Sequence, residues 1–345
     1  MIFSDNTLYL LCFLTALCIS GILTPAVRLL AVKLNILDHP VTEIKTHKNP
    51  VPYLGGVAVA VALAVSLLFV RFLTNFPTGT LRSLRGIFYG TLIIFLTGLA
   101  DDIHPRGLGY RKKFVLQFLA AFCLLFFDIR IKFISPAWFA DILTVIWVVG
   151  ITNALNIVDI MDGLSSGIGI IASLAFLFIS LPSEEIYVNF TAAALAGALA
   201  GFLPFNLSRR LKIFLGDTGS LVNGFVLAAL SLGTSYTRTN NLGVFAPIFI
   251  LGLPLYDTFL VIYLRFMKGQ SPFLGSKDHF ALRLEAFGFL REEILVISYA
   301  AAMFLAFAAY EVTVVRMEYA AFIYALAGLA ALYVGTWLAR INIDG

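Results

Sequence analysis

The sequence predicts an all-α fold: a polytopic bundle of transmembrane helices, about eleven spans in one chain. Three observations predict it. Of the 345 residues, 60% are hydrophobic and only 13% are charged, whereas a soluble domain is nearer half apolar and a quarter charged. The apolar residues gather into runs of about 17–25, long enough to cross a hydrocarbon core. The charged residues collect in the links between those runs. This make-up excludes an ordinary soluble domain and gives no reason to expect a nucleic-acid partner.

The eleven runs are roughly 7–33, 54–74, 84–100, 113–127, 141–158, 163–181, 186–205, 219–236, 243–266, 292–310 and 317–339. The first has neither a basic leader nor a small-residue cleavage site, so it is expected to be retained. The fourth is short. The ninth contains Pro247 and Pro254, so a kink is expected there. Cys12, Cys18 and Cys123 all fall inside apolar runs, which argues for small packing residues rather than a disulfide framework or metal cluster. No internal repeat, low-complexity tract or long linker divides the chain, so residues 1–345 are expected to form a single integral-membrane domain.

Eleven spans put the two termini on opposite sides, and the positive-inside rule decides which way round. With the N-terminus outside and the C-terminus cytoplasmic, only Arg71, Arg82, Arg85, Arg130, Lys132, Arg238 and Arg316 face outward, 7 of the 24 basic residues. The inner links then also hold nearly every unusual polar residue, which played no part in choosing the orientation.

Residues 150–164, GITNALNIVDIMDGL, are the centre of that polar content. Asn153, Asn156, Asp159 and Asp162 recur every three residues where an apolar run stops. On a helix such spacing keeps them near one face. Ionisable groups in a bilayer are costly and point to function; a merely hydrated helix end is the plain alternative. Asp101-Asp102 closes the third run. Adjacent carboxylates suggest a divalent cation or a proton acceptor, or ordinary loop acids. Asp217 lies in Gly216-Asp217-Thr218-Gly219-Ser220, a turn entering the eighth run. Its amides could cradle phosphate while its carboxylate binds a metal, or it could simply cap the helix.

Carboxylates without a His/Cys cluster favour Mg²⁺ or Mn²⁺ over zinc, held by one or two carboxylates together with substrate phosphates. Lys48, Lys112, Lys113, Lys277 and Arg283 supply charge for such phosphates, although inner-face anchoring accounts for most of them. Lys113 and Gln117, four apart, share a helical face. His279 is either a ligand-facing or a solvated loop histidine. The residues alone lead to a cytoplasm-facing, Mg²⁺-dependent phosphoryl-transfer site at helix ends, within reach of lipid.

Five motifs in order, from about Asp38 to Gly288, resemble the polyprenyl-phosphate N-acetylhexosamine-1-phosphate transferases, a family that includes the phospho-MurNAc-pentapeptide translocases. They are Lys45-x-His47-x-x-Pro50-x-Pro52-x-x-Gly55-Gly56; Asp101-Asp102 with Lys113 and Gln117; Asn153-x-x-Asn156-x-x-Asp159-x-x-Asp162-Gly163; Phe214-Leu-Gly-Asp217-x-Gly-Ser220-Leu; and Ser271-Pro-Phe with Lys277, His279 and Arg283-Leu284. The resemblance implies transfer of a sugar-1-phosphate from a UDP-sugar to polyprenyl phosphate, with release of UMP and use of Mg²⁺ or Mn²⁺. By matching positions it implies Asp217 as metal ligand with Asn156 and Asp159, and Asp101 as base for the lipid phosphate with Asp102 beside it. Lys48, Lys113, Asn153, Asp162, His279 and Arg283 fall on the substrate side. Two departures bear on the sugar. Ile160 stands where the family commonly has Gly, and Ala281-Leu282 stand where the amino-sugar branch usually has two further histidines. The frame of the last loop leans toward GlcNAc as donor sugar rather than MurNAc-pentapeptide. A homodimer is a further expectation. The rival readings are a carboxylate-dependent transporter, which would place acids mid-helix with internal repeats, and a non-catalytic scaffold, against which the retention of all five aspartates argues.

Overall fold

The computed structural model describes residues 4–39, 50–104, 107–183, 185–271 and 276–343. Lys45, His47 and Lys48 of the first inner loop lie outside the described residues, as do Arg106 and residues 272–275.

The chain is helical almost throughout. Helix α1 (Asp5–Lys33) starts where Ser4 accepts a hydrogen bond from the Thr7 amide, and Asp5 and Lys33 complement its dipole at either end. A two-stranded antiparallel ribbon follows, β1 (Leu37–Asp38) on β2 (Val51–Pro52). Two residues per strand are too few for a periodic signal in the sequence. Helices α2 (Gly55–Leu73), α3 (Thr78–Ile103), α4 (Tyr110–Phe126), α5 (Ala137–Ile157), α6 (Leu164–Ser180), α7 (Ile186–Asn206) and α8 (Gly216–Gly233) come next. After a 3₁₀ turn, Asn241–Phe245, the chain continues as α9 (Ala246–Ile250), α10 (Gly252–Met267), α11 (Phe280–Phe287), α12 (Arg291–Val314) and α13 (Met317–Ala339).

Every apolar run is therefore helical, and the ninth is broken as expected. Its two parts meet at 71° on either side of Leu251, flanked by the prolines, which have no N–H to continue the ladder. Among the described residues seven helices are long and apolar enough to cross a membrane, and the bent pair makes an eighth. The expectation of eleven exceeds this because α4 and α6 have only 17 residues each and α8 opens on Gly216, Asp217 and Thr218. Length and composition thus define an integral membrane protein with seven or eight candidate spans.

The chain divides into two compact units. Unit 1 holds α1–α8 and runs to Thr234; unit 2 begins at Ser235 and holds α9–α13. In unit 1 successive helices alternate in direction, so the C-terminal ends of α1, α3, α5 and α7 meet the N-terminal ends of α2, α4, α6 and α8. Arg28 on α1 donates to the Lys212 carbonyl at 3.1 Å, the Gly55 and Gly56 amides of α2 donate to Phe214 and Leu215, and the Gly163 amide before α6 donates to Asn206 on α7. Helix α7 is apolar on all sides and buried on nearly all of them. Close backbone approach draws α2 and α3 onto the start of α8. A Cβ on Gly56 would lie 2.1 Å from the Gly219 nitrogen, and one on Gly98 would lie 2.5 Å from the Thr218 Cα. Small residues permit such contacts between apolar helices, and here they bring Asp101 and Asp102, one turn beyond Gly98, against Asp217.

Unit 2 is tied at one end by Asn240, whose amide donates to the Val312 and Val315 carbonyls while its oxygen accepts from the Gly243 amide. Phe249 stacks on Tyr324 with ring centroids 4.7 Å apart.

Candidate active site

The gathered helix ends of unit 1 bring five of the expected residues together. Asp217 is the second residue of α8. Gly216 before it has φ +72°, and a Cβ there would come 2.6 Å from Asp102 Oδ2, so the turn requires glycine. Asp102 Oδ1 accepts from the Asp217 amide at 2.8 Å; its Oδ2 accepts from the Thr218 amide at 3.0 Å and the Thr218 hydroxyl at 2.5 Å. The carboxylate on α3 thus caps α8, satisfying amides that have no partner within the helix and meeting the positive end of its dipole. Asp102, expected as a catalytic carboxylate beside Asp101, holds the Asp217 turn.

Lys113 of α4 places its Nζ 2.6 Å from Asp217 Oδ2 and 3.5 Å from Asp101 Oδ2. The other Asp101 oxygen accepts from the Leu108 amide at 2.7 Å. Asn156 donates to Asp217 Oδ1 at 3.1 Å and to the Ser220 hydroxyl at 2.9 Å. Asp101, Lys113, Asp217 and Asn156 therefore form one connected cluster drawn from α3, α4, α8 and α5.

Asp159 lies in the link between α5 and α6, half-buried, and its carboxylate makes no hydrogen bond or ion pair to a described residue. Loss of hydration on burial, and then the charges of Asp217, Asp162 and Asp102, push its pKa well above the ordinary carboxylate value. Asp162 pairs instead with Lys212, at 2.5 Å. Asn153 is one turn further into the bundle, where its amide donates to Gln117 Oε1 at 2.6 Å and to the Val149 carbonyl at 2.7 Å, bracing α4 on α5. Ile160 is accommodated without strain. The left-handed position is Gly163, with φ +81°, whereas the non-glycine residues of positive φ among the described residues are Asn35, Leu54 and Asp128. Asn206, buried, accepts from the Gly163 amide at 2.6 Å and donates to the Ile213 carbonyl at 3.0 Å. It joins the Asp159–Asp162 link to the segment entering Asp217.

His279 and Arg283 belong to unit 2, and each is buried. His279 Nδ1 lies 2.8 Å from Asp257 Oδ2. Arg283 donates to the Leu338 and Ile341 carbonyls at 2.9 and 2.8 Å, to Asp278 Oδ1 at 2.6 Å and to the Asp278 carbonyl at 3.3 Å. That occupies four of the roughly five N–H donors a guanidinium has, so Arg283 clamps the end of α13 to the loop. Lys48 lies outside the described residues. The tying roles of Asn206 and Asp257 were missed in the sequence. The one available signal was Asp257 itself, a carboxylate in the middle of an apolar run.

No three His, Cys, Asp or Glu side chains among the described residues converge to hold a metal unaided. The donor set nevertheless fits Mg²⁺ or Mn²⁺. It offers hard carboxylate oxygens at Asp217 and, without a partner among the described residues, at Asp159, and Mg²⁺ takes one or two carboxylates and completes its shell with water and substrate phosphate.

A helical membrane protein with aspartates and a lysine clustered at helix ends, around a glycine-turn helix N-terminus, has the construction of an enzyme for phosphorylated substrates. The chain belongs to glycosyl transferase family 4, whose model matches residues 84–235. It is 31% identical over 295 residues to a Bacillus subtilis protein named "Probable undecaprenyl-phosphate N-acetylglucosaminyl 1-phosphate transferase", covering 83% of this chain and 80% of that one. It is 30% identical over 318 residues to the decaprenyl-phosphate N-acetylglucosaminephosphotransferase of Mycobacterium tuberculosis, covering 83% and 78%. A phospho-N-acetylmuramoyl-pentapeptide-transferase of Listeria innocua is 33% identical over 204 residues, covering only 54% and 61%.

Proposed function

We propose that the protein transfers N-acetylglucosamine-1-phosphate from UDP-N-acetylglucosamine to a polyprenyl phosphate, releasing UMP, at the cytoplasmic face of the inner membrane. The observation that carries this is the charge of the cluster. Asp101 and Asp217 share the Lys113 ammonium, Asp102 accepts from the Asp217 amide, and Asp159 lies within electrostatic reach of Asp217 and Asp102. Such a site repels a diphosphate unless a divalent cation is bound with it, which is how Mg²⁺ sites for phosphoryl transfer are built. The greater coverage by the N-acetylglucosamine-phosphate transferases supports the sugar over its muramoyl-pentapeptide alternative. Their 83% coverage also supports residues 1–345 acting as a single transferase domain. The gathering of the ends of α1–α8 supports the reading that those eight runs cross the bilayer, and the charge split between the links supports eleven spans with the N-terminus outside.

Asp217 would hold the Mg²⁺, with Asn156 and Asp159 beside it; when bound, the ion neutralises the diphosphate. Asp102 keeps Asp217 aimed by capping α8. Lys113, between Asp101 and Asp217, would supply an ammonium to a substrate phosphate beside that ion. Asp101 positions the acceptor phosphate and takes its residual proton. An acceptor oxygen then attacks the sugar-linked phosphorus, the bond to the bridging oxygen breaks, and UMP leaves with that oxygen. Direct attack suits the lipid phosphate, whose second pKa is near about 6. Both Asp217 oxygens are already engaged, by Lys113 and Asn156, which disfavours Asp217 as a nucleophile.

Purified protein given undecaprenyl phosphate and Mg²⁺ should release UMP from UDP-N-acetylglucosamine. Turnover of UDP-MurNAc-pentapeptide alone would overturn the sugar assignment. Stoichiometric UMP release before any lipid is added would overturn direct attack.

A further inference from the structure

Within unit 1, α2 and α3 border an apolar groove that the carboxylate cluster does not use. Its volume is about 190 Å³. Ala60, Ala64 and Leu67 line it from α2, and Leu84, Phe88 and Phe95 from α3. Each set recurs at helical spacing and so forms one stripe along its helix. The rise from Leu84 to Phe95 is about 16 Å, roughly half of a ~30 Å hydrocarbon core. The groove is therefore about as long as one leaflet is thick. An apolar cavity of about 150 Å³ already takes up a small hydrocarbon, so this one suits a stretch of acyl chain.

The two ends of the groove differ. On the side of the carboxylate cluster, one turn beyond Ala60 and Phe95, Gly56 and Gly98 meet the first turn of α8. A Cβ on Gly56 would lie 2.1 Å from the Gly219 nitrogen, and one on Gly98 would lie 2.5 Å from the Thr218 Cα. The backbone of α8 thus fills the space between α2 and α3 on that side. At the far end the α2 stripe runs on into Arg71, one turn past Leu67, and Arg85 follows Leu84 on α3. Arg71 donates once, to the Thr74 carbonyl at 3.1 Å, which ties it to the end of α2 and leaves most of a guanidinium's roughly five donors. Arg85 is exposed and makes no hydrogen bond or ion pair to a described residue. Residues 55–100 contain no Asp or Glu. By contrast Arg130 and Lys132, in the link between α4 and α5, are matched by Asp128 and Asp141. The arginines of the α2–α3 hairpin must find their anion outside the chain.

We propose that this groove holds one anionic phospholipid of the leaflet away from the carboxylate cluster, with an acyl chain between α2 and α3 and its phosphate on Arg71. Arg85 adds to the positive field at the same level. Charge selects the head group: guanidinium donors suit a phosphate, and uncompensated cations favour a net-anionic lipid over a zwitterion. The filled end beside α8 argues against a polyprenyl tail leading out of the cluster. The inference needs only unit 1 in a bilayer and does not rest on the transferase reading.

Native mass spectrometry tests this on the full-length protein, released from detergent after exposure to equimolar phosphatidylglycerol and phosphatidylcholine with matched chains. Wild type should retain one phosphatidylglycerol in preference. Arg71→Gln should lower that preference about 5-fold, the usual weight of one basic residue beside anionic lipid. Arg82→Gln is the control. It removes the same charge at the same end, but Arg82 lies roughly 160° around α3 from Leu84, so the preference should change by less than about 2-fold. Ala64→Phe fills the groove and should remove the retained lipid whatever its head group; Ala60→Leu, a smaller filling, takes its place should that variant not fold. Equal losses in Arg71→Gln and Arg82→Gln would mean a general surface attraction and would overturn the site. Lipid retention unchanged by filling the groove would overturn it as well. Two other occupants would show themselves. One-for-one displacement of phosphatidylglycerol by undecaprenyl phosphate would give the groove to the acceptor chain. A dimer that Ala64→Phe dissociates would give it to a second copy, and either result refutes the phospholipid.

Discussion

Asp102→Asn separates two roles for the second aspartate of the pair. In the structure its oxygens receive three hydrogen bonds from the first residues of α8, at 2.8, 3.0 and 2.5 Å. Asparagine can keep its oxygen at the Oδ2 position and still accept from the Thr218 amide and hydroxyl. Its NH₂ then meets the Asp217 amide, donor against donor. One charge-assisted bond of about 1.5–3 kcal/mol is lost, and the remaining two fall toward about 0.5–1.5 kcal/mol each. Together the start of α8 loses roughly 4–6 kcal/mol of ordering, and Asp217 moves with it. Displacement by ~1 Å in such a site lowers turnover by about 100-fold. The assays are Mn²⁺ titration in the presence of UDP, followed by the electron paramagnetic resonance of free Mn²⁺, with thermal unfolding and UMP release alongside. Mn²⁺ affinity, Tm and turnover should fall together. Lost turnover with unchanged Mn²⁺ affinity and unchanged Tm would refute the capping argument and make Asp102 a proton-transfer group.

Other outcomes follow from neighbouring contacts. Asn206→Ala leaves the Gly163 amide and the Ile213 carbonyl unpaired in the interior, at about 1–3 kcal/mol each; an unchanged unfolding midpoint would contradict this. Asp278→Ala strands the buried Arg283 guanidinium and should cost about 3–5 kcal/mol. Burial alone would raise the Asp278 carboxyl, but hydrogen bonds from Lys268, Ser276 and Arg283 outweigh it and hold the pKa below its ordinary value. Its stabilisation is therefore complete above the unfolded value of about 3.9 and drains away as pH falls through the folded one. Wild type should lose Tm below about pH 4 more steeply than Asp278→Asn, and parallel curves would disprove the linkage. For orientation, Lys277→Cys and Asn241→Cys, each in a background lacking Cys12, Cys18 and Cys123, should label from opposite sides. Labelling of Lys277→Cys by an impermeant reagent outside intact cells would reverse the proposed topology.

The helical membrane class, the eleven apolar runs and the break in the ninth could be read from composition and proline position, because the bilayer demands long apolar helices whatever their partners. The carboxylates at helix ends were legible for a related reason: a charge beside an apolar run is costly, so it stands out. Pairing was not legible. That Asp102 caps α8, that Asp162 takes Lys212, that Asn153 braces Gln117 and that Arg283 clamps the end of α13 depend on contacts between residues distant in the chain. Spacing suggested that Asn153, Asn156, Asp159 and Asp162 act as one face. The helix ends at Ile157, however, and the four side chains go to four different environments. A period of three is a property of one helix, whereas the partner of a polar group is chosen by whichever neighbouring helix the packing brings within about 3 Å. Here the glycines at 56, 98 and 216 make that choice by letting three backbones meet at Asp217.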